Sequence, residues 1–162
     1  MLNLFLLATA VVSGLIAGLF YSYSCSVNPG LGALSDSNYL SAMQSINRAI
    51  LNPVFFCSFM GTLLLLPIST YQHYGTGNRF YLLLAATLVY AVGTFGVTMF
   101  GNVPLNEALA KIDLTNASAQ ELAEYRSRFE IPWNRLNAIR TYASILAFVL
   151  TLIACLTTLE KH

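Results

Sequence analysis

The sequence predicts an all-α integral membrane protein, a four-transmembrane-helix bundle with short extra-membrane helices after spans one and three. Three observations carry this. Of the 162 residues, 56% are hydrophobic and 9% charged, with a mean hydropathy of +0.63, a balance too apolar for an ordinary soluble domain. Runs at about 2–23, 54–71, 80–101 and 138–159 are each long enough to cross a hydrocarbon core of about 30 Å, which takes about 20 helical residues. The first three contain no charged side chain, and the fourth contains only Arg140, near its start. Residues 1–162 then read as a single transmembrane domain.

The same composition excludes several functions. The formal net charge is +1, so there is no basic face or tail for nucleic acid. Cys25, Cys57 and Cys155 stand singly in apolar surroundings, which predicts buried free thiols rather than a disulfide framework or a redox pair. The two histidines, His73 and His162, fall in a connector and at the terminus, and no Glu-x-x-His pair accompanies them, so no metal site is expected. A phosphate-cradling glycine loop and a G-x-S-x-G elbow are missing too.

Span one lacks the basic leader of a signal peptide and is expected to be retained. Ala10, Gly14, Ala17, Gly18 and Ser22 line up along it as small residues that permit close helix approach. Packing inside the bundle is the first reading, and a homo-oligomer contact through the Gly14/Gly18 face is the alternative. Tyr21, Tyr23 and Asn28-Pro29-Gly30 should close the span at the interface. Ser35 or Asp36 then caps an amphipathic helix, with Tyr39, Met43, Ile46 and Ile50 on one face and Gln44, Arg48 and Asn52 opposite. Such a helix lies on the bilayer surface or covers one end of the bundle; the functional alternative points Arg48 and Asn52 into a cavity.

Pro53 suits the first turn of span two, and the short connector from His73 to Arg79 makes spans two and three adjacent and antiparallel. Gly93, Gly96 and Gly101 thin the second half of span three for close packing. Asn102 is expected to cap a new short helix whose first turn holds Pro104, with Asn106 and Glu107 following. A helix broken at membrane depth is tolerated only beside protein or a water-filled cavity, so this break is a candidate site wall. Ser118-Ala-Gln-Glu121 is a capping box, and Leu122, Tyr125, Phe129 and Trp133 carry its helix into span four. Pro132 removes the amide that would bond the Arg128 carbonyl, so it should kink that helix or mark its true start. Four spans put both termini on one side. Arg48, Lys111, Arg126, Arg128, Arg135 and Arg140, against Arg79 and Lys161, favour an inside location for the loops after spans one and three; the rule weakens in a long loop, so no side is assigned.

At 100° per residue, Trp133, Asn137 and Arg140 fall within an arc of roughly 60° on one helix, with Glu130 just beside it. Because spans three and four run antiparallel, this stripe and Asn102, Asn106 and Glu107 reach the same membrane face. An arginine, several amides and a carboxylate converging there resemble a pocket for an anionic or enolic oxygen. Arg140 is then expected to contact the Asn102–Glu107 segment, as donor to an asparagine carbonyl, to Glu107 or to a bound anion. The plainer reading has Arg140 snorkelling to headgroups, Trp133 in an aromatic belt and the asparagines capping helix ends.

The pairing of Asn-Val-Pro-Leu-Asn at 102–106 with Trp-x-x-Leu-Asn-x-x-Arg at 133–140, in a four-span chain of this length, resembles the anthrone oxygenase-like family of small membrane proteins. The resemblance covers nearly the whole chain, with its specific signal in those two motifs. It implies a cofactor-independent oxygenase, using neither metal nor flavin, that acts on a flat aromatic or enolisable hydrophobic substrate; characterised fungal members oxidise polyketide anthrones to anthraquinones. On that basis a base removes a proton beside a ring ketone and O2 attacks the enolate. Arg140, Asn137 and Asn106 would hold the enolate oxygen, Trp133 would stack on the substrate, and Glu107 would be the base with Glu130 as substitute. Asn102, Arg48 and Asn52 complete the substrate-binding set. The competing class is a non-catalytic protein that binds a quinone, lipid or partner helix in the same cavity.

Overall fold

The computed structural model describes residues 4–157, and all regular structure among them is helical. Four helices, Leu4–Gly32, Pro53–Gln72, Asn78–Ala110 and Ala119–Leu156, are long and apolar enough to cross a membrane. Their number is that of the expected spans, and the first, third and fourth run on beyond the apolar stretches. The expected outer limits at Leu2 and Leu159 lie outside the described residues.

The first helix consists of α1 (Leu4–Ser22), a π-helical turn (Tyr23–Val27) and α2 (Asn28–Gly32). Asn28-Pro29-Gly30 therefore does not end the span. Pro29 has no N–H, and its ring collides with the carbonyl four residues back in an α-helix. The π turn relieves this by shifting the bonding register, so that the Asn28 amide reaches the Tyr23 carbonyl. The chain turns at 33–35 into α3 (Asp36–Ala49). Ser35 holds the N-cap position, but its hydroxyl makes no capping bond. The junction is instead held from the last helix. Arg126 donates to the carbonyls of Gly32 and Leu34 and to the carboxylates of Asp36 and Glu130 at 2.7–2.9 Å. It also lies 4.6 Å from the centre of the Tyr39 ring. Burial there, reinforced by the Glu130 carboxylate, pushes the Tyr39 hydroxyl above its ordinary range.

Asn52 caps the second span, α4 (Pro53–Gln72). Its Oδ1 accepts from the Phe55 amide at 3.0 Å while Nδ2 donates to the Ala49 carbonyl at 2.8 Å, so its side chain is committed to the helix end. Gly75 and Gly77 take positive φ in the connector, at 76° and 62°, where a side chain would be strained. The third span runs from α5 (Asn78–Val89) through π-helical turns at Tyr90–Gly96 and Thr98–Asn102 into α6 (Val103–Ala110). The expected break at Asn102 is absent: that residue is helical, with φ −68° and ψ −39°, and makes no cap. A π turn accommodates Pro104 here as it does Pro29. The capping box at Ser118 and Glu121 is formed, and α7 (Ala119–Leu156) runs through Pro132, which is therefore not a helix start.

The spans pack as α1 against α4 and α7, and α5 against α4 and α7. The central core comprises Ile16, Phe20, Phe59, Leu66, Ala86, Tyr90 and Ala147. Leu6, Leu83 and Ala154, from α1, α5 and α7, form a smaller cluster toward one end of the bundle. At that end Arg79 donates to the carbonyls of Ala154 and Thr157 and satisfies the last turn of α7. At the other end α3 lies across α6 and α7, covering Leu109, Phe129 and Trp133 with Tyr39, Leu40 and Met43. Gln44 fastens it by donating to the carbonyls of Leu109 and Ile112 at 2.9 and 3.1 Å.

Close approach depends on glycine where helices cross. A Cβ on Gly93 would stand 2.6 Å from the Ala143 Cβ, and one on Gly14 would stand 3.0 Å from the Phe148 ring. Gly14 thus faces the bundle interior, whereas Gly18 faces open space; the stripe is not one continuous contact face. Hydroxyl pairs join helices inside, Thr9 to Ser69 at 2.8 Å and Thr70 to Thr87 at 2.9 Å, as expected where no water is available. The three thiols are free, but Cys25 and Cys57 are exposed and Cys155 is half-buried. The expectation of burial fails because the outer face of a membrane bundle is itself in an apolar solvent. Leu15, Val92, Phe100 and Tyr142 are exposed in the same way.

Candidate functional site

Trp133, Asn137 and Arg140 follow one another at helical spacing on α7, and all three are buried; Arg140 keeps only 8% of its surface exposed. A guanidinium stays charged at this depth, yet no carboxylate among the described residues pairs with it. Its Nε and Nη2 both donate to Asn137 Oδ1, at 3.1 and 3.0 Å. The guanidinium carbon lies 4.4 Å from the centre of the Phe20 ring and 5.0 Å from that of Trp133, close enough for both π faces to stabilise the charge. Nη1 has no acceptor among the described residues. Arg140 therefore does not snorkel; it is held inside with donors to spare.

It borders a cavity of about 250 Å³, larger than the roughly 150 Å³ that admits a benzene ring. Leu19, Phe20 and Tyr23 of span one, with Ile46, Ile50, Leu51 and Phe55, form apolar walls; Gln44, Asn47 and Arg48 of α3, with Thr98, Asn106, Glu107 and Trp133, add the polar groups. The aromatic wall is continuous. Tyr23 and Trp133 have ring centres 5.6 Å apart, and outside the cavity lining Phe129 stacks on Trp133 at 6.2 Å. Trp133 Nε1 donates to Asn106 Oδ1 at 2.9 Å, which fixes the indole.

Of the residues expected to form the site, Arg140, Asn106, Glu107, Trp133 and Arg48 line this one cavity. Asn137 stands behind Arg140 and orients it. The expected bond from Arg140 to the 102–107 segment is not made. Asn137, three residues away on the same helix, takes two of its N–H groups, and Trp133 joins the segments instead: Asn102 Nδ2 donates to the Trp133 carbonyl at 3.4 Å. Asn102 is fully buried in that role, and Asn52 caps α4. Glu107 and Arg48 are exposed and mark the rim. Glu130 is held by Arg126 at 2.7 Å and does not line the cavity.

Sequence reasoning missed Phe20, Tyr23 and Ser24. Ser24 Oγ accepts from Asn137 Nδ2 at 2.9 Å and lies 3.0 Å from Thr141 Oγ1. The one available signal was Pro29, which marks a register shift in the preceding turn. Groups of three or more His, Cys, Asp or Glu that could hold a metal are absent among the described residues.

The family model described as anthrone oxygenase matches residues 40–150, from within α3 to the middle of span four. No curated protein and no solved structure matches the chain.

Proposed function

The chain belongs to the anthrone oxygenase family, and from that premise we propose that it is a membrane-embedded oxygenase acting on a flat, enolisable aromatic ketone. A base removes a proton from the ring CH2, and the electron pair spreads onto the ketone oxygen. O2 takes up that electron density at the carbon, giving, with a proton, a hydroperoxide. Loss of the second C–H proton breaks the O–O bond, forms the new carbonyl and releases water. The balance is CH2 plus O2 to C=O plus H2O, so it closes with O2 as the only oxidant and without a cofactor.

The observation that carries this reading is the unpaired guanidinium of Arg140 at the wall of an apolar cavity. A buried cation without a counter-ion is strongly unfavourable, and a developing enolate oxygen would supply the missing charge where Nη1 is free. Donors already fixed before the reaction stabilise such an oxygen without reorganisation. Trp133 and Tyr23 provide faces for a planar ring system, and Asn106 a further amide. In this proposal Glu107, which lines the rim of the cavity, takes the proton. Its exposure favours a second reading, a site that binds a quinone or lipid without turning it over.

Purified protein incubated with an anthrone under air distinguishes them. The expected result is quinone formation above the spontaneous rate, lost in Arg140→Ala. A wild-type rate equal to the protein-free blank overturns the oxygenase reading for this substrate class.

A further inference from the structure

A guanidinium can only donate, and that fixes the direction of every hydrogen bond behind Arg140. The atom of Asn137 facing it at 3.1 and 3.0 Å must be Oδ1, which turns Nδ2 toward Ser24 Oγ, 2.9 Å away. Ser24 accepts there, so its own proton is available to Thr141 Oγ1 at 3.0 Å. Thr141 spends its proton on the Asn137 carbonyl, at 2.7 Å closer than its other carbonyl neighbour, that of Phe20 at 3.2 Å. The result is a one-way chain from Arg140 through Asn137, Ser24 and Thr141 back to the backbone of α7. Its only member on another helix is Ser24, in the π-helical turn Tyr23–Val27. Such turns recur at functional sites because they re-aim side chains.

We propose that Ser24 is a positioning residue of the site: by accepting from Asn137 it locks the amide with its oxygen toward Arg140, and so holds the free edge of the guanidinium toward the cavity. This rests on the reading of Arg140 as the seat of a substrate anion and deepens it by adding span one. Asn137 is 1% exposed, and the Ser24 hydroxyl is the acceptor that its Nδ2 has among the described residues. An unpaired buried donor is unfavourable, and the amide loses the contact on its far side that keeps Oδ1 aligned with Nε and Nη2, which loosens the pose of Arg140.

Trp133 is the only tryptophan in the chain and lines the cavity, so its fluorescence reports a bound ligand. The full chain in lipid nanodiscs is titrated with anthracene-9-carboxylate and with the neutral anthracene-9-carboxamide, each corrected for partition into protein-free nanodiscs. Wild type is expected to favour the carboxylate about tenfold, the scale of one hydrogen bond to a charged group. Ser24→Ala is expected to abolish that preference while carboxamide binding stays within about twofold, and Ser24→Thr, which keeps the hydroxyl, to restore it. A wild-type preference near unity removes the anion-seat reading itself, whereas a preference retained in Ser24→Ala overturns only the positioning role. If Ser24→Ala binds neither probe, Thr141→Val decides: it removes the acceptor that orients Ser24, the same loss is expected, and a retained preference overturns the proposal.

Discussion

Arg140→Lys separates a cation held for a ligand from one held for charge alone. Lysine keeps the charge but cannot lay a planar face against Phe20 and Trp133 or fork two bonds onto Asn137 Oδ1. Quinone formation should fall by about tenfold or more, the scale of a lost charged hydrogen bond; an unchanged rate would mean that only the charge matters. Trp133→Phe tests the neighbouring contact. It preserves the aromatic wall but removes the Nε1 donor from Asn106 Oδ1, and should lower stability by about 1 kcal/mol in thermal unfolding. The loss should shrink when Asn106→Ala is added, because no acceptor is then left unpaired.

At the scale of the element, Gly93 is a position where span three and α7 approach closely, and a Cβ there would meet the Ala143 Cβ at 2.6 Å. Gly93→Ala should destabilise the bundle by about 1–3 kcal/mol, the range for overpacking. Ala143→Gly in the same chain should recover most of that loss in the same melting experiment. The spans themselves were legible in the sequence because hydropathy and length decide them. The capping box was legible because its bonds are local, and the stripe Trp133, Asn137, Arg140 because helical spacing fixes it. The π-helical turns were not. Pro29 and Pro104 carry the same signal whether they end a helix or are absorbed by a widened turn. The fates of Asn52, Asn102 and Ser24 were hidden for a related reason: an amide or hydroxyl near a helix end can cap it or face a neighbour, and only the rotation of one helix against another decides. That rotation is set by contacts such as Gly14 on Phe148 and Gly93 on Ala143, which no local pattern records.

At the scale of the whole molecule, four spans place Thr76, between α4 and α5, and Asn116, before α7, at opposite ends of the bundle. With Cys25, Cys57 and Cys155 replaced by serine, single cysteines at these two positions should react with a membrane-impermeant maleimide from opposite faces of sealed vesicles. Labelling from one face would break the four-span topology. The corner held by Arg126 also bears on how the chain is built. Gly32 and Arg126 are 94 residues apart in sequence, so when ribosomal synthesis has delivered the first three helices the donor for the Gly32 and Leu34 carbonyls does not yet exist. This corner cannot close until the start of the final helix has emerged. A nascent chain arrested before residue 126 should be cleaved by added protease at 33–35, and the full-length chain should be protected. Arg126→Gln should behave like the arrested chain although every span is present, which makes one side chain on the last helix the latch on the first.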